Sequence, residues 1–327
     1  MSSKTGPGAF FAGAALVWRW QRLAWWVFAV TLIFGIFATQ GMVERAEAKF
    51  NHSFASRRLV DGFDVGAVLE LNALPESPLQ IEGPTMVHFS VVFAIFMLFA
   101  TGGILATYLH DETPRIGAFF EACGDHFWRF VRLFIYLAIV FAIVGAIGAG
   151  LGEIHDRIDE NSISPFPAVY FLVGAIVFIL ILLSIVRLWF DMAQIIAVAD
   201  DEKRIHKALG RAFSLLRHNF FSLLGLFLSI SIIGSLLFGL GIRLWMVALS
   251  PHSIIGAFLL SQLMVLVWIG TRLWQRASEA LWYRRFAEAS VQEPAWTPAP
   301  GVVTPSVNNR SRAVKCRSFG HSGQNLG

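Results

Sequence analysis

The sequence predicts an all-α membrane protein, a bundle of six transmembrane helices with amphipathic helices at the membrane interface. The chain of 327 residues is 56% hydrophobic and 15% charged, whereas soluble domains average about 25% charged residues. Its apolar residues are grouped into six runs, each long enough to cross a bilayer as a helix. Helices follow from this grouping, because lipid offers no hydrogen-bond partner to an exposed backbone.

The six predicted spans share a nearly uncharged interior and lie at 23–39, 85–108, 133–152, 168–186, 220–242 and 254–271. The shortest, 23–39, covers roughly 26 Å at about 1.5 Å per residue, close to the thickness of the hydrocarbon core. Together the spans form one predicted membrane domain, 1–290. Its longest connection, 41–84, is predicted to fold as a structured outer cap. Residues 291–327 are rich in Pro, Ser, Asn and Gly, which predicts a disordered cytoplasmic tail.

The positive charges predict the orientation of the bundle. Of the 26 lysines and arginines, 20 lie in the two terminal segments and in the second and fourth connections. The positive-inside rule then puts both termini in the cytoplasm. The natural partner of these residues is the anionic surface of the membrane, and nucleic acid is excluded as a partner because the cations flank spans instead of covering a soluble face.

Three amphipathic stretches, 8–22, 117–132 and 205–221, each precede two spans. The first two share the motif Gly-Ala-Phe-Phe near their start and Trp-Arg near their end, and the third matches them in layout. This pattern predicts a threefold repeat of one amphipathic helix followed by a helical hairpin.

The third stretch has the clearest helical period, because its apolar residues recur three and four positions apart. Asp200 or Asp201 is placed to cap its start. We expect its basic residues to contact lipid headgroups, together with those of the other two stretches: Lys203, Arg204, Lys207, Arg211, Arg129, Arg132, Arg19 and Arg22. Two alternatives stay open, a collar that only seals the bundle and a docking site for a cytoplasmic protein.

Small residues within the spans predict close packing of helices, through Gly145, Gly148, Gly152, Ser231 and Ser235. A face between two copies of the chain is the alternative. Ionisable groups are absent from the interiors of the predicted spans, which argues against an ion-coupled transporter. The sequence contains no recognisable catalytic or phosphate-binding motif, so we expect no enzyme activity, no catalytic residue, no metal site and no cofactor.

The fourth connection carries a family resemblance. It contains Arg187-Leu188-Trp189-Phe190, and continues through 197–201 and 208–221. This order resembles the corresponding stretch of the membrane domain found with some bacterial glycerophosphodiester phosphodiesterases and of related six-span bacterial membrane proteins. The resemblance implies a domain of the bacterial inner membrane. It does not imply the phosphodiesterase activity, because a catalytic barrel of about 250 residues has no room in this chain.

Two functions are therefore predicted as alternatives. The first is a non-enzymatic scaffold of the cell envelope, structural or lipid-interacting, whose partners are membrane lipids. The second is the membrane-spanning permease subunit of a transporter powered by a separate ATPase. Six spans with both termini in the cytoplasm are compatible with either.

Overall fold

The computed structural model describes residues 6–50, 84–111, 115–161, 164, 166–248 and 253–292. Within these ranges it consists of eight helices: α1 Gly6–Arg19, α2 Gln21–Phe50, α3 Pro84–His110, α4 Ile116–Asn161, α5 Phe166–Ala199, α6 Ile205–His218, α7 Phe220–Ala248 and α8 Ile254–Gln292. The predicted all-α class is confirmed. Most of the predicted outer cap and almost all of the predicted tail lie outside the described residues, apart from 41–50 in α2 and 291–292 in α8.

Six of these helices (α2, α3, α4, α5, α7 and α8) are long and apolar enough to cross a membrane, and each contains one predicted span. The protein is therefore a multi-pass membrane protein. The helices extend well past the predicted spans. The 46 residues of α4 cover about 69 Å at about 1.5 Å per residue, roughly twice the hydrocarbon thickness.

The six long helices are arranged as three similar hairpins. The second helices of the three hairpins, α3, α5 and α8, contact one another, and we call them the inner helices. The first helix of each hairpin (α2, α4 or α7) packs against the inner helix of its own hairpin. It also packs against the inner helix of the preceding hairpin; for α2, the first in the chain, that neighbour is α8 of the last hairpin, so the arrangement is closed. This layout agrees with the predicted threefold repeat.

A short amphipathic segment accompanies each hairpin, and the three together form what we call the collar: α1, residues 116–132 of α4, and α6. Each packs on the inner helix of the preceding hairpin, α1 on α8, the start of α4 on α3, and α6 on α5. The first and third segments are separate helices, which end at Arg19 and His218 and are followed by the non-helical residues Trp20 and Asn219. The second has no such break, because α4 continues through Phe130 as one helix.

Two tryptophans hold collar helices to inner helices in the same way. The indole N–H of Trp274 in α8 donates to the backbone carbonyl of Phe10 in α1, at 2.9 Å. That of Trp189 in α5 donates to the carbonyl of Leu209 in α6, at 3.0 Å. Both tryptophans end an Arg-Leu-Trp tripeptide, at 187–189 and 272–274, so the two inner helices share a local sequence as well as a position.

The buried core lies at one end of the bundle, which we call the core end. It contains the collar, the carboxyl halves of the inner helices and the start of α7. Its largest buried side chains include Tyr108, Phe130, Met192, Ile196 and Trp282. Toward the opposite end the apolar side chains of the long helices are mostly exposed, as at Ile176 and Leu180. In a membrane protein these exposed apolar residues are the ones that lipid covers.

Candidate functional site

Three of the exposed aromatic residues of the collar are each followed, four positions later, by an exposed arginine. The aromatic residues are Trp18, Trp128 and Phe213, which are 76%, 69% and 55% exposed. The arginines are Arg22, Arg132 and Arg217. None of these arginines forms an ion pair with another described residue. Exposed aromatic rings beside cations are typical of helices that lie at a lipid interface.

The fourth connection adds further cations at the same end. Its predicted headgroup contacts are Lys203, Arg204, Lys207 and Arg211, and all four are exposed. Arg211 lies 3.2 Å from a carboxylate oxygen of Asp200 and 3.8 Å from one of Glu202. The other three make no side-chain ion pair within the described part of the chain, so they are the ones available to a ligand.

Arg19 and Arg129 pair with carboxylates of the protein itself instead. Arg19 donates to Asp111 at 3.0 Å, and Arg129 donates to Asp201 at 2.6 Å. Each aspartate lies just beyond the end of an inner helix in the left-handed region, with φ of 52° and 47° respectively. The Arg129 side chain is only 14% exposed. These two arginines therefore latch collar segments to the inner helices of their own hairpins, whereas headgroup contact by either remains a prediction.

The predicted cap of α6 is wrong. The N-cap residue is Arg204, and no side chain caps the helix. Asp200 accepts hydrogen bonds from Arg211 and from the Tyr283 hydroxyl, while Asp201 accepts one from Arg129. Both carboxylates are thus committed to tertiary contacts, which local sequence reasoning did not consider.

The sequence does contain a pattern that predicts these two ion pairs, which we call the latches (Arg19 with Asp111, and Arg129 with Asp201). Trp-Arg at 18–19 and 128–129 each belongs to a hairpin that ends in Asp-Glu, at 111–112 and 201–202. The arginine and the aspartate of each pair are 92 and 72 residues apart in the sequence. The two pairs can be recognised as equivalent only when the two repeats are aligned.

Acidification is expected to weaken the latch at Asp201. The hydrogen bond from Arg129 holds the pKa of the Asp201 carboxyl below its usual range, and the charges of Arg129, Lys203 and His126 act in the same direction. Because the pKa of Asp201 is lower in the folded protein than in the unfolded chain, the ionised carboxylate stabilises the fold at any pH above the ordinary aspartate pKa of about 4. This stabilisation is lost as the pH falls through the lower, folded-state pKa. Because Asp201 is 71% exposed, solvent screening keeps the contribution below about 1 kcal/mol.

Unfolding of the wild type and of Asp201→Asn should therefore differ at neutral pH and converge in acid. Asp156→Asn, which removes an exposed carboxylate near the far end of α4, should follow the wild-type pH profile. An equal difference between wild type and Asp201→Asn at both pH values would contradict the assignment.

The glycines predicted to pack helices make no close contact with the other residues that the structure describes. A side-chain carbon added at Gly145 or Gly152 would meet no atom within 4 Å, and one at Gly148 would only reach Ile179 at 4.0 Å. Ser235 is exposed and Ser231 is half-buried. Their predicted packing role, including a face between two copies, stays a prediction. Close approach occurs instead at other glycines, Gly13, Gly103, Gly234 and Gly241.

A second candidate site lies between the inner helices at the core end, and we call it the polar centre. Around Glu279 of α8 it contains Gln275 and Arg276 of the same helix together with Arg187 and Asp191 of α5. Thr101 and Tyr108 of α3 join it through Arg276. Glu279 is completely buried. Its charged neighbours are Asp191, Arg187 and Arg276.

Direct bonds account for only part of this centre. Arg276 donates to the Thr101 hydroxyl at 2.9 Å, which joins α8 to α3. Arg187 lies 3.4 Å from Asp191, one turn away on α5. The centre combines two acidic and two basic groups, so its formal charge is balanced.

The polar centre corrects the argument made from the predicted spans. Ionisable groups are absent from the span interiors, but Asp191 and Glu279 lie in the continuations of α5 and α8 beyond 186 and 271, where the bundle buries them. The absence of ionisable groups from the predicted spans therefore does not extend to the rest of α5 and α8, and the argument against an ion-coupled transporter loses weight. A usable signal was the position of Glu279 within Ala277-Ser278-Glu279-Ala280, where small residues predict close helix packing.

The fold and these two sites define the chain as an all-α, multi-pass membrane protein with a threefold arrangement of hairpins. No family model matches the sequence, and no curated protein or solved structure is significantly similar to it.

Proposed function

We propose that the protein is a non-enzymatic membrane scaffold whose collar rests on the anionic surface of one leaflet. The observation that carries this proposal is the set of three exposed aromatic–arginine pairs, Trp18 with Arg22, Trp128 with Arg132, and Phe213 with Arg217. The aromatic rings insert at the level of the headgroups while the guanidinium groups meet phosphates. With the positive-inside rule, this leaflet is the cytoplasmic one.

The unpaired cations of the fourth connection support the same proposal. Lys203 and Arg204 lie exposed just before α6, and Lys207 lies exposed in its first turn. The apolar face of α6 is buried on the bundle. A basic residue near an anionic membrane surface contributes about 1 kcal/mol. Several such residues around one end therefore make a leaflet rich in acidic lipid the preferred neighbour.

Neutralising the arginines of the first two aromatic–arginine pairs is expected to remove bound acidic lipid. The double variant Arg22→Gln/Arg132→Gln, extracted from nanodiscs of mixed anionic and zwitterionic lipid, should retain fewer anionic lipids than the wild type by native mass spectrometry. At about 1 kcal/mol for each charge, the affinity should fall about fivefold for each substitution. The difference should shrink at high salt, because salt screens exposed charges.

The matched control is Arg157→Gln/Arg243→Gln, which removes two exposed arginines from the opposite end. It should retain lipid as the wild type does. If both double variants lose anionic lipid equally, the collar has no special role. Alanine at Lys203, Arg204 and Lys207 should add to the loss caused by the collar variant.

The permease subunit is the second candidate, and the polar centre favours it. A transporter driven by a separate ATPase needs a path for a polar solute between its helices, and buried polar groups between inner helices are where such paths are usually found. Purification in mild detergent separates the two functions. A stoichiometric ATP-hydrolysing subunit would favour the permease, whereas anionic lipid alone, lost on neutralisation of the collar, would favour the scaffold.

A further inference from the structure

We propose that the polar centre binds a cluster of ordered water molecules, anchored by Glu279, that connects the three inner helices. This site is separate from the collar, and it does not depend on the proposed scaffold function.

The first argument is the number of buried hydrogen-bonding atoms without a partner. Both carboxylate oxygens of Glu279, the amide nitrogen of Gln275 and the hydroxyl of Tyr108 are buried, and none makes a hydrogen bond of ordinary length and angle within the described part of the chain. The Gln275 side chain does interact with the Glu279 carboxyl group, but too loosely to satisfy either group. Glu279 and Tyr108 are each 0% exposed. A buried polar group without a partner is unfavourable, and buried groups of this kind are almost always satisfied by protein or by water.

The second argument is chemical complementarity. Glu279 supplies acceptors, Gln275 supplies a donor, and Tyr108 can do either. A water molecule both donates and accepts, and a buried water typically makes about three hydrogen bonds to groups of this kind. One small cluster can therefore satisfy all three residues, which no single donor or acceptor could do.

The third argument is the balance of charge, which favours water over a metal ion. Arg187 and Arg276 already provide one positive group for each of Asp191 and Glu279. A bound cation would leave an excess of positive charge in a buried place, at a high desolvation cost. A neutral ligand such as water, which both donates and accepts hydrogen bonds, adds no charge to the site.

The fourth argument is the incomplete direct pairing. Arg187 and Asp191 are 3.4 Å apart, at the long end for a charge-assisted hydrogen bond, and Arg276 is directed to Thr101 on α3. Glu279 is therefore attracted electrostatically to the guanidinium groups of Arg187 and Arg276, but neither donates a direct hydrogen bond to it. Water that bridges these groups completes a network between α3, α5 and α8.

Radiolytic footprinting in heavy-oxygen water tests the proposal, because hydroxyl radicals formed from bound water oxidise the side chains beside it. Tyr108 and Phe130 are both 0% exposed, and Phe130 serves as the buried control on the apolar core. Each oxidation rate is normalised to the rate in the unfolded protein. We expect Tyr108 to be oxidised several-fold faster than Phe130 in the folded protein, with heavy oxygen incorporated.

Two variants test the anchor. In Glu279→Gln the hydrogen-bonding atoms remain, so the oxidation of Tyr108 should persist. In Glu279→Leu the anchor is lost, so the rate at Tyr108 should fall to that of Phe130. Equal protection of Tyr108 and Phe130 in the folded wild type would overturn the proposal even if neither variant folds. Undiminished oxidation of Tyr108 in folded Glu279→Leu would overturn the role of Glu279.

Discussion

Replacing Arg187 with Met should strongly destabilise the bundle. The substitution leaves Asp191 and Glu279 buried with Arg276 as their remaining guanidinium neighbour. Removing one partner of a fully buried ion pair typically costs about 3–5 kcal/mol, and because the Arg187 side chain is 30% exposed, we expect a loss toward the lower end of that range. The substitution also removes the contact of the Arg187 guanidinium group with the ring of Phe227, whose centroid is 5.9 Å away. The measurement is the free energy of unfolding in detergent micelles, followed by helicity during a titration with denaturing detergent.

The double variant Arg187→Met/Asp191→Leu should recover most of this loss, because it removes the pair together and restores the balance of charge. Well-packed apolar pairs often replace buried ion pairs without a loss of stability. The control is Arg272→Met on α8. Arg272 lies over the Trp268 ring at 4.5 Å and pairs with no described carboxylate, so its loss should cost about 0.5–1 kcal/mol. Equal effects of Arg187→Met and Arg272→Met would mean that Asp191 and Glu279 do not depend on Arg187.

Replacing Gly13 with Leu should detach α1 from the bundle. A side-chain carbon at this position would overlap the Ser278 hydroxyl and come within 2.9 Å of the Ser278 Cα. Because the obstacle includes backbone, rotation of the serine cannot relieve it. Overpacking of this kind costs about 1–3 kcal/mol, and the bond from Trp274 to the Phe10 carbonyl should be lost with the contact. The measurement is thermal unfolding in detergent, with limited proteolysis to report release of α1.

Gly124→Leu is the matched control and should have the opposite sign. Gly124 is exposed in the collar part of α4, and an added carbon there meets no atom within 4 Å. Leucine in an exposed helix is favoured over glycine by roughly 0.5–1 kcal/mol, so stability should rise slightly. If Gly13→Leu unfolds like the wild type, α1 does not dock on α8 through this glycine.

The sequence predicted the helical elements well, because their signals are local. Each span is a continuous apolar run, and the amphipathic period of 205–216 gives the buried face of α6 directly, with Ile205, Ala208, Ala212 and Leu216 buried. The exposed cations of the fourth connection follow from the same period. The lengths of the helices were underestimated, because residues such as Arg187 and Arg272 end an apolar run without ending a helix.

The candidate sites were predicted only in part. Arg22 and Arg132 are exposed, as headgroup contacts need to be, whereas Arg19 and Arg129 pair with Asp111 and Asp201 across 92 and 72 residues. Gly145 and Gly152 have the composition of a packing face, but the close contacts fall at other glycines. The sequence gives the size and charge of each residue. Which neighbour a side chain meets depends on how its helix is rotated about its own axis, and only the tertiary structure gives that rotation.

The sequence by itself determined that this chain is a six-helix membrane protein with basic, aromatic-rich amphipathic segments, because hydropathy and helical period are properties of neighbouring residues. The tertiary structure alone decided that α3, α5 and α8 form the interior, that Gly13 meets Ser278, and that Glu279 is buried near Asp191. The physical reason is that lipid requires helices but treats all their apolar faces alike. The order of the helices and their rotation are therefore set by specific contacts between distant residues, which hydropathy does not encode.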